Sequence, residues 1–184
     1  MFRNKVGDIF GHSPFETMRF TAEKSADNAM ALLWGILATI PPLALFLAME
    51  RLPFDIFRDL SQLVDEKIIP LFSEANVLEL ALLALAAGIG EELLFRGLIQ
   101  DGLFAKIGGT EGMMIGVVVS SIIFGLCHSI TPSYFVLATI MGAYLGLLFW
   151  WTDNLVAPIV THALYDFVAI VYMVRNKSKK PSPT

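Results

Sequence analysis

One cysteine, Cys127, stands in 184 residues, which excludes an intrachain disulfide framework and a CxxC metal knuckle. Charge is scarce as well. Asp, Glu, Lys and Arg make up 16% of the chain, against about 25% in ordinary soluble domains. The 13 basic and 17 acidic residues leave a net charge of −4, and the basic ones form no stripe interleaved with aromatics, so a nucleic-acid partner is not expected. Residues 1–27 lack an apolar core of signal-peptide type: Arg3, Lys5, Arg19 and Lys24 are balanced there by Asp8, Glu16, Glu23 and Asp27. A cleaved leader is therefore not expected. Apolar residues fill the chain instead, at 55%, and describe a protein whose solvent is lipid.

The uncharged runs set the predicted architecture. Asn28 to Met49 is 22 residues without a charge, enough for the roughly 20 that a crossing helix needs, with a kink expected at Pro41 and Pro42. Between Pro53 and Pro70, Ile56, Phe57, Leu60, Leu63, Val64 and Ile68 recur at helical spacing, as in an interfacial amphipathic helix or a plain connecting one. Gly112 to Thr152 is 41 residues without Asp, Glu, Lys or Arg, long enough for two crossings. Thr131 as cap and Pro132 at the first helical position divide it, so one span ends before Ser129 and the next runs from Pro132 to Trp151. Ala138, Gly142 and Gly146 give that second span a close-packing face. Asp153 and Asn154 can cap a last span reaching Val174. The expected fold is all-α: a polytopic membrane bundle of about five transmembrane helices plus the amphipathic helix. A polar segment covers 1–27, a single membrane domain 28–174, and a basic disordered tail 175–184. Each end carries four basic residues, so with five spans the positive-inside rule fixes no orientation.

The remaining span is the informative one. Only eleven uncharged residues, Leu80 to Gly90, separate Glu79 from Glu91, too few to cross a bilayer. A crossing is obtained only by running the helix from about Leu80 to Gln100, which places Glu91, Glu92 and Arg96 inside the membrane. Charges at that depth cost a few kcal/mol each at least, and normally face a bundle interior or a wet cavity.

At 100° per residue Glu92 and Arg96 share one face in the favourable acid-before-base order, whereas Glu91 projects about a quarter turn away. Glu92 is thereby neutralised. Glu91 has no partner on its own helix and becomes a candidate base or ligand, unless all three form one structural network. His128 ends the third span with Phe124 four residues before it, either as a packed ring or as part of a site. Cys127 points about 100° away from His128, which makes a Cys–His nucleophile pair geometrically poor. His162 and Asp166 are again four apart, in the last span, and their side chains can meet one ligand. At about 1.5 Å per residue Glu91 lies about 16 Å into its span and His162 about 10 Å into its own from the opposite side. Those levels agree, whereas His128 needs its helix to tilt or to start later.

These residues are recognisable as a set. EELLFRG from Glu91 to Gly97, FGLCH from Phe124 to His128 and HALYD from His162 to Asp166 resemble the EExxxR, FxxxH and HxxxN/D motifs of the CPBP family. These are the CAAX proteases and bacteriocin-processing (Abi) enzymes. The resemblance covers about Leu80 to Val174, and the three motifs in this order are far more specific than any one of them. It implies a membrane bundle with peptidase activity, typified by removal of the last three residues of prenylated CAAX proteins. It implies further that Glu91 and His128 activate the attacking water, that His162 and Asp166 complete the site, and that Glu92, Arg96 and Phe124 support it.

One position departs from the family pattern. Where many members place Asn, this chain has Asp166, which as a carboxylate accepts hydrogen bonds but donates none to an oxyanion. Asp166 would serve as an orienter of the His162 ring, or as a ligand beside Glu91, His128 and His162 for a divalent metal such as zinc. The chain has no HExxH, and a metal-free glutamate mechanism stays open. The expected partners are membrane lipid and a peptide or lipidated-protein substrate, with the plasma membrane as location in a bacterium. The same buried charges would also suit a proton or ion carrier, or a non-enzymatic immunity scaffold that keeps the fold.

Overall fold

The computed structural model describes residues 25–49, 66–67 and 69–177. The expected amphipathic helix between Pro53 and Pro70 and the polar N-terminal segment lie almost wholly outside the described residues, as does most of the tail. Every regular element among the described residues is helical.

The first crossing, Asp27–Met49, is long and apolar enough to span a membrane but is built from two helices, α1 (Ser25–Ala38) and α2 (Ile40–Met49). The break falls at Thr39, just before Pro41 and Pro42, where the sequence predicted a kink. Pro42 has no N–H to give the Ala38 carbonyl four residues back. The Tyr144 hydroxyl donates to that carbonyl instead, at 2.7 Å. Lipid offers no water for a freed carbonyl, so a neighbouring helix must supply the partner. After a short helix α3 (Ile69–Phe72), α4 (Val77–Glu92) opens with a capping box: the Asn76 side chain accepts from the Leu78 and Glu79 N–H groups, and Glu79 reaches back to the Asn76 N–H. The chain continues without a break through a π-helical segment, Leu93–Gln100, into α5 (Asp101–Ile107).

Gly108 and Gly109, with φ of +76° and +60°, take a left-handed turn that glycine makes without strain. The turn folds α6 (Gly109–Cys127) back along α5 and the π segment. Thr131 then caps α7 (Pro132–Thr152) by accepting the Tyr134 N–H at 3.1 Å, as the Thr–Pro pair predicts. Before α8 (Val156–Lys177) the capping is divided. Asn154 Oδ1 accepts the Val156 N–H at 2.9 Å, whereas Asp153 closes α7 in the left-handed conformation and does not begin α8.

Three helices, α6, α7 and Val156–Arg175 of α8, join the first crossing as stretches long and apolar enough to span a membrane. The continuous helix from Val77 to Ile107 takes the place of the charge-bearing span expected from about Leu80 to Gln100, and with Glu91, Glu92 and Arg96 in it, it is not among the four stretches apolar enough to span a membrane. The result is a helical membrane bundle. In it α8 packs between α1 and α4, and α6 packs against α7. Ala138 and Gly142 line the inner face of α7, and a Cβ on Gly142 would sit 3.0 Å from the Ser121 Cα of α6, so the small-residue face closes two helices as expected.

Candidate active site

Two close approaches bring the site together. On α4, Gly88 lies one turn before Glu92, and a Cβ there would meet Ala163 of α8 at 2.9 Å. The glycine lets α8 come near enough for Glu92 Oε1 to accept a hydrogen bond from His162 Nδ1 at 2.8 Å. The hairpin at Gly108–Gly109 makes the second approach. The α4–π–α5 helix and α6 run antiparallel from it, and Glu91 and His128 stand at nearly equal chain distance from the turn. His128, the C-cap of α6, thus comes level with Glu91 although α6 starts earlier than the expected run, at Gly109, and not later.

Glu91 Oε2 then faces two imidazole nitrogens, His128 Nε2 at 3.7 Å and His162 Nε2 at 3.9 Å. Asp166 Oδ2 lies 3.4 Å from the same His162 nitrogen. All four candidate catalytic residues of the sequence reading thus stand together in one cluster. Glu91 Oε2 is buried without a hydrogen-bond partner among the described residues, and separations slightly beyond hydrogen-bonding range are the kind that a shared water closes.

The tautomers follow from the outer contacts. His128 Nδ1 lies 2.7 Å from the Phe124 carbonyl oxygen, which can only accept, so Nδ1 carries a hydrogen and Nε2 is the nitrogen turned toward Glu91. His162 Nδ1 likewise donates to Glu92. The ring is therefore oriented by Glu92, a contact between α4 and α8 that sequence spacing does not contain. Asp166, expected as an orienter of this ring or as a metal ligand, lies at its other nitrogen, so the ring is flanked by a carboxylate on each side.

Glu92 is held in turn by Arg96. Arg96 Nη1 donates to Glu92 Oε1 at 2.6 Å, Nη2 donates to the Gly142 carbonyl at 2.8 Å, and the guanidinium carbon lies 5.0 Å from the centre of the Phe124 ring. Phe124 also stacks on His128, with centroids 4.4 Å apart, and meets Phe95 and His162 edge-on. One turn past Arg96, Gln100 Nε2 donates to the Gly146 carbonyl at 2.9 Å. Arg96 and Gln100 therefore read two carbonyls four residues apart on α7, and the glycine face that closes the helices also exposes its carbonyls to them. Gln100 was not singled out from the sequence, although an amide beside charges in an apolar span is a signal that could have found it.

Exposure divides the cluster. The side chains of Glu92, Arg96 and His162 are 0%, 0% and 6% accessible, whereas those of Glu91, His128 and Asp166 are 31%, 25% and 29% accessible. The first three hold the arrangement; the last three can touch a ligand. Among the described residues no group of three or more His, Cys, Asp or Glu side chains is placed to hold a metal ion. The Glu91, His128, His162 and Asp166 ligand set does not form as these side chains stand.

A polytopic helical bundle that gathers a carboxylate–imidazole cluster between its helices defines the class as a helical membrane protein. Residues 73–168, which contain all three motifs, match the Rce1-like family described as type II CAAX prenyl endopeptidases, and the chain belongs to that family. It is thus a multi-pass integral membrane protein of a peptidase family. It is 29% identical over 159 residues to the uncharacterized protein YpbD of Bacillus subtilis, covering 84% of this chain and 75% of that one. It is 34% identical over 91 residues to the membrane-embedded CAAX protease MroQ of Staphylococcus aureus, covering 47% of this chain and 35% of MroQ. No solved structure matches the chain.

Proposed function

We propose that this protein is an intramembrane endopeptidase that hydrolyses a peptide bond of a membrane-anchored or prenylated substrate, with Glu91 and His128 activating the water. The observation that carries the reading is the unpartnered Glu91 Oε2 set between two imidazole Nε2 atoms. Glu91 takes one proton of the water, and the His128 Nε2 lone pair holds the other hydrogen. The water oxygen bonds to the scissile carbonyl carbon. When the C–N bond of the tetrahedral intermediate breaks, the proton carried by Glu91 goes to the leaving amine. His162, fixed by Glu92, and Asp166 complete the wall against which the substrate carbonyl lies. The names of the family and of MroQ support a CAAX-type substrate.

The test uses the purified full-length protein in bilayer discs and an internally quenched peptide ending in a farnesylated CAAX sequence. A positioned acid–base group contributes about 10²- to 10⁴-fold, so Glu91→Gln and His128→Ala should each lower kcat by about 100-fold or more with unfolding midpoints unchanged. Cleavage at the wild-type rate by Glu91→Gln protein refutes the assignment.

A further inference from the structure

Hydroxyls in these spans commonly turn back on their own helix. Ser121 donates to the Val117 carbonyl, Thr39 to Gly35 and Thr139 to Phe135, each four residues back. That local bond satisfies a hydroxyl in lipid without involving a neighbouring helix. Ser120 does otherwise. It is 1% accessible, and its hydroxyl leaves α6 to donate to the Phe95 carbonyl of the π segment at 2.8 Å.

Little else sets the register of that contact. One and two turns before Ser120, Gly116 and Gly112 lie against the same continuous helix: a Cβ on Gly116 would stand 2.7 Å from the Gln100 carbonyl oxygen, and one on Gly112 3.2 Å from that of Phe104. Small residues let two helices come close, but a glycine has no side chain to stop one from sliding along the other. The Gly108–Gly109 turn joins the two at the end away from the site. Phe95 and Phe124 meet edge-on, with centroids 5.0 Å apart, and an apolar contact of that kind tolerates small shifts.

The hydroxyl bond sits where a shift would matter most. Phe95 lies four residues after Glu91 and one before Arg96, and Phe124 lies four after Ser120 and four before His128. Phe124 in turn stacks on His128 at 4.4 Å and meets His162 at 5.9 Å. A slip of α6 at Ser120 therefore carries His128 past Glu91, whose Oε2 stands 3.7 Å from His128 Nε2. A misplacement of about 1 Å between reacting groups costs about 10²-fold in rate.

We propose that Ser120 is a positioning residue of the site: its bond to the Phe95 carbonyl sets the register of α6 on the helix that bears Glu91, and thereby the placement of His128. Its effect on rate rests on the peptidase reading; its effect on the imidazole does not. Ser120 acts through the helix and takes no part in proton transfer.

Ser120→Ala removes the bond. Ser121→Ala is the matched control, since Ser121 is 3% accessible and gives its hydroxyl to its own helix. With the farnesylated quenched peptide in bilayer discs, Ser120→Ala should lower kcat by about 10- to 100-fold and leave KM within about twofold. Ser121→Ala should keep both constants within about twofold of the wild type. Interhelical hydrogen bonds in membranes add little stability on average, so the unfolding midpoints of the two variants should agree. In protein carrying nitrogen-labelled histidine, the His128 Nε2 resonance, identified by its loss in His128→Gln protein, should move in Ser120→Ala and stay put in Ser121→Ala. Equal kcat in the two variants overturns the positioning role. So does an unmoved His128 resonance, or a lower unfolding midpoint in Ser120→Ala alone that accounts for its lost activity. A wild-type protein that leaves the peptide intact sinks the peptidase reading, whereas a His128 resonance that moves in Ser120→Ala alone upholds the placement of the ring independently of it.

Discussion

Arg96→Met tests the buried support of the site most directly. Methionine keeps an unbranched side chain of similar reach and removes the charge. The carboxylate of Glu92, fully buried, then keeps only the His162 Nδ1 hydrogen bond of the two it now accepts. Removing one member of a buried ion pair costs about 3–5 kcal/mol, because the other charge stays desolvated. Loss of the donor to the Gly142 carbonyl adds about 1 kcal/mol. Glu92→Gln alone strands the guanidinium in the same way, at a similar cost. The double variant Glu92→Gln/Arg96→Met buries no unpaired charge, so its cost should fall below the sum of the singles by about 2–3 kcal/mol. The assay is SDS-driven unfolding in mixed micelles, read by helix content. The double variant should nevertheless stay slow as a peptidase, since His162 has lost the carboxylate that orients it. Additivity of the two single costs within about 0.5 kcal/mol would show that the pair is not coupled, and the account of the support would be wrong.

Features that depend on one helix were legible in the sequence. The spacing of Glu92 with Arg96 and of His162 with Asp166 is fixed by helix geometry, and both pairs meet as expected. Thr131 and Pro132 marked the start of α7 for the same local reason. Contacts between helices were not legible, because they depend on register. Glu92 reaches His162 only because Gly88 admits Ala163, and a glycine among alanines and leucines does not announce which helix will close on it. The division of Asp153 and Asn154 between two helix ends turned on one left-handed residue. The π segment was invisible, since its composition matches that of an α-helix.

Two further substitutions probe the packing that positions the site, and a deletion probes the helix that carries it. Tyr144→Phe should destabilise the bundle by about 0.6–1.7 kcal/mol, the range of interhelical hydrogen bonds in membranes, by freeing the Ala38 carbonyl; unchanged unfolding in mixed micelles would mean that Pro42 needs no such partner. Gly88→Leu should wedge α8 from α4, abolish cleavage, and leave a farnesyl peptide bound less than about tenfold more weakly; a wild-type rate would show that the Glu92–His162 bond is dispensable. The deletion concerns the π segment. Along an α-helix Gln100, eight residues beyond Glu92, would drift about 80° from it, yet Arg96 and Gln100 both reach α7 carbonyls while Arg96 holds Glu92. The wider i→i+5 turns of Leu93–Gln100 take up that drift with an extra residue. Deleting Leu94, whose side chain is exposed, should let the segment revert to α-helix with Arg96 and Gln100 still anchored on α7. Everything before the deletion then turns by about 100° relative to them, so that Glu91 swings away from His128 and cleavage falls to background while circular dichroism still shows a helical bundle. A deletion variant that cleaves at the wild-type rate would mean that the wide turns are incidental to the site.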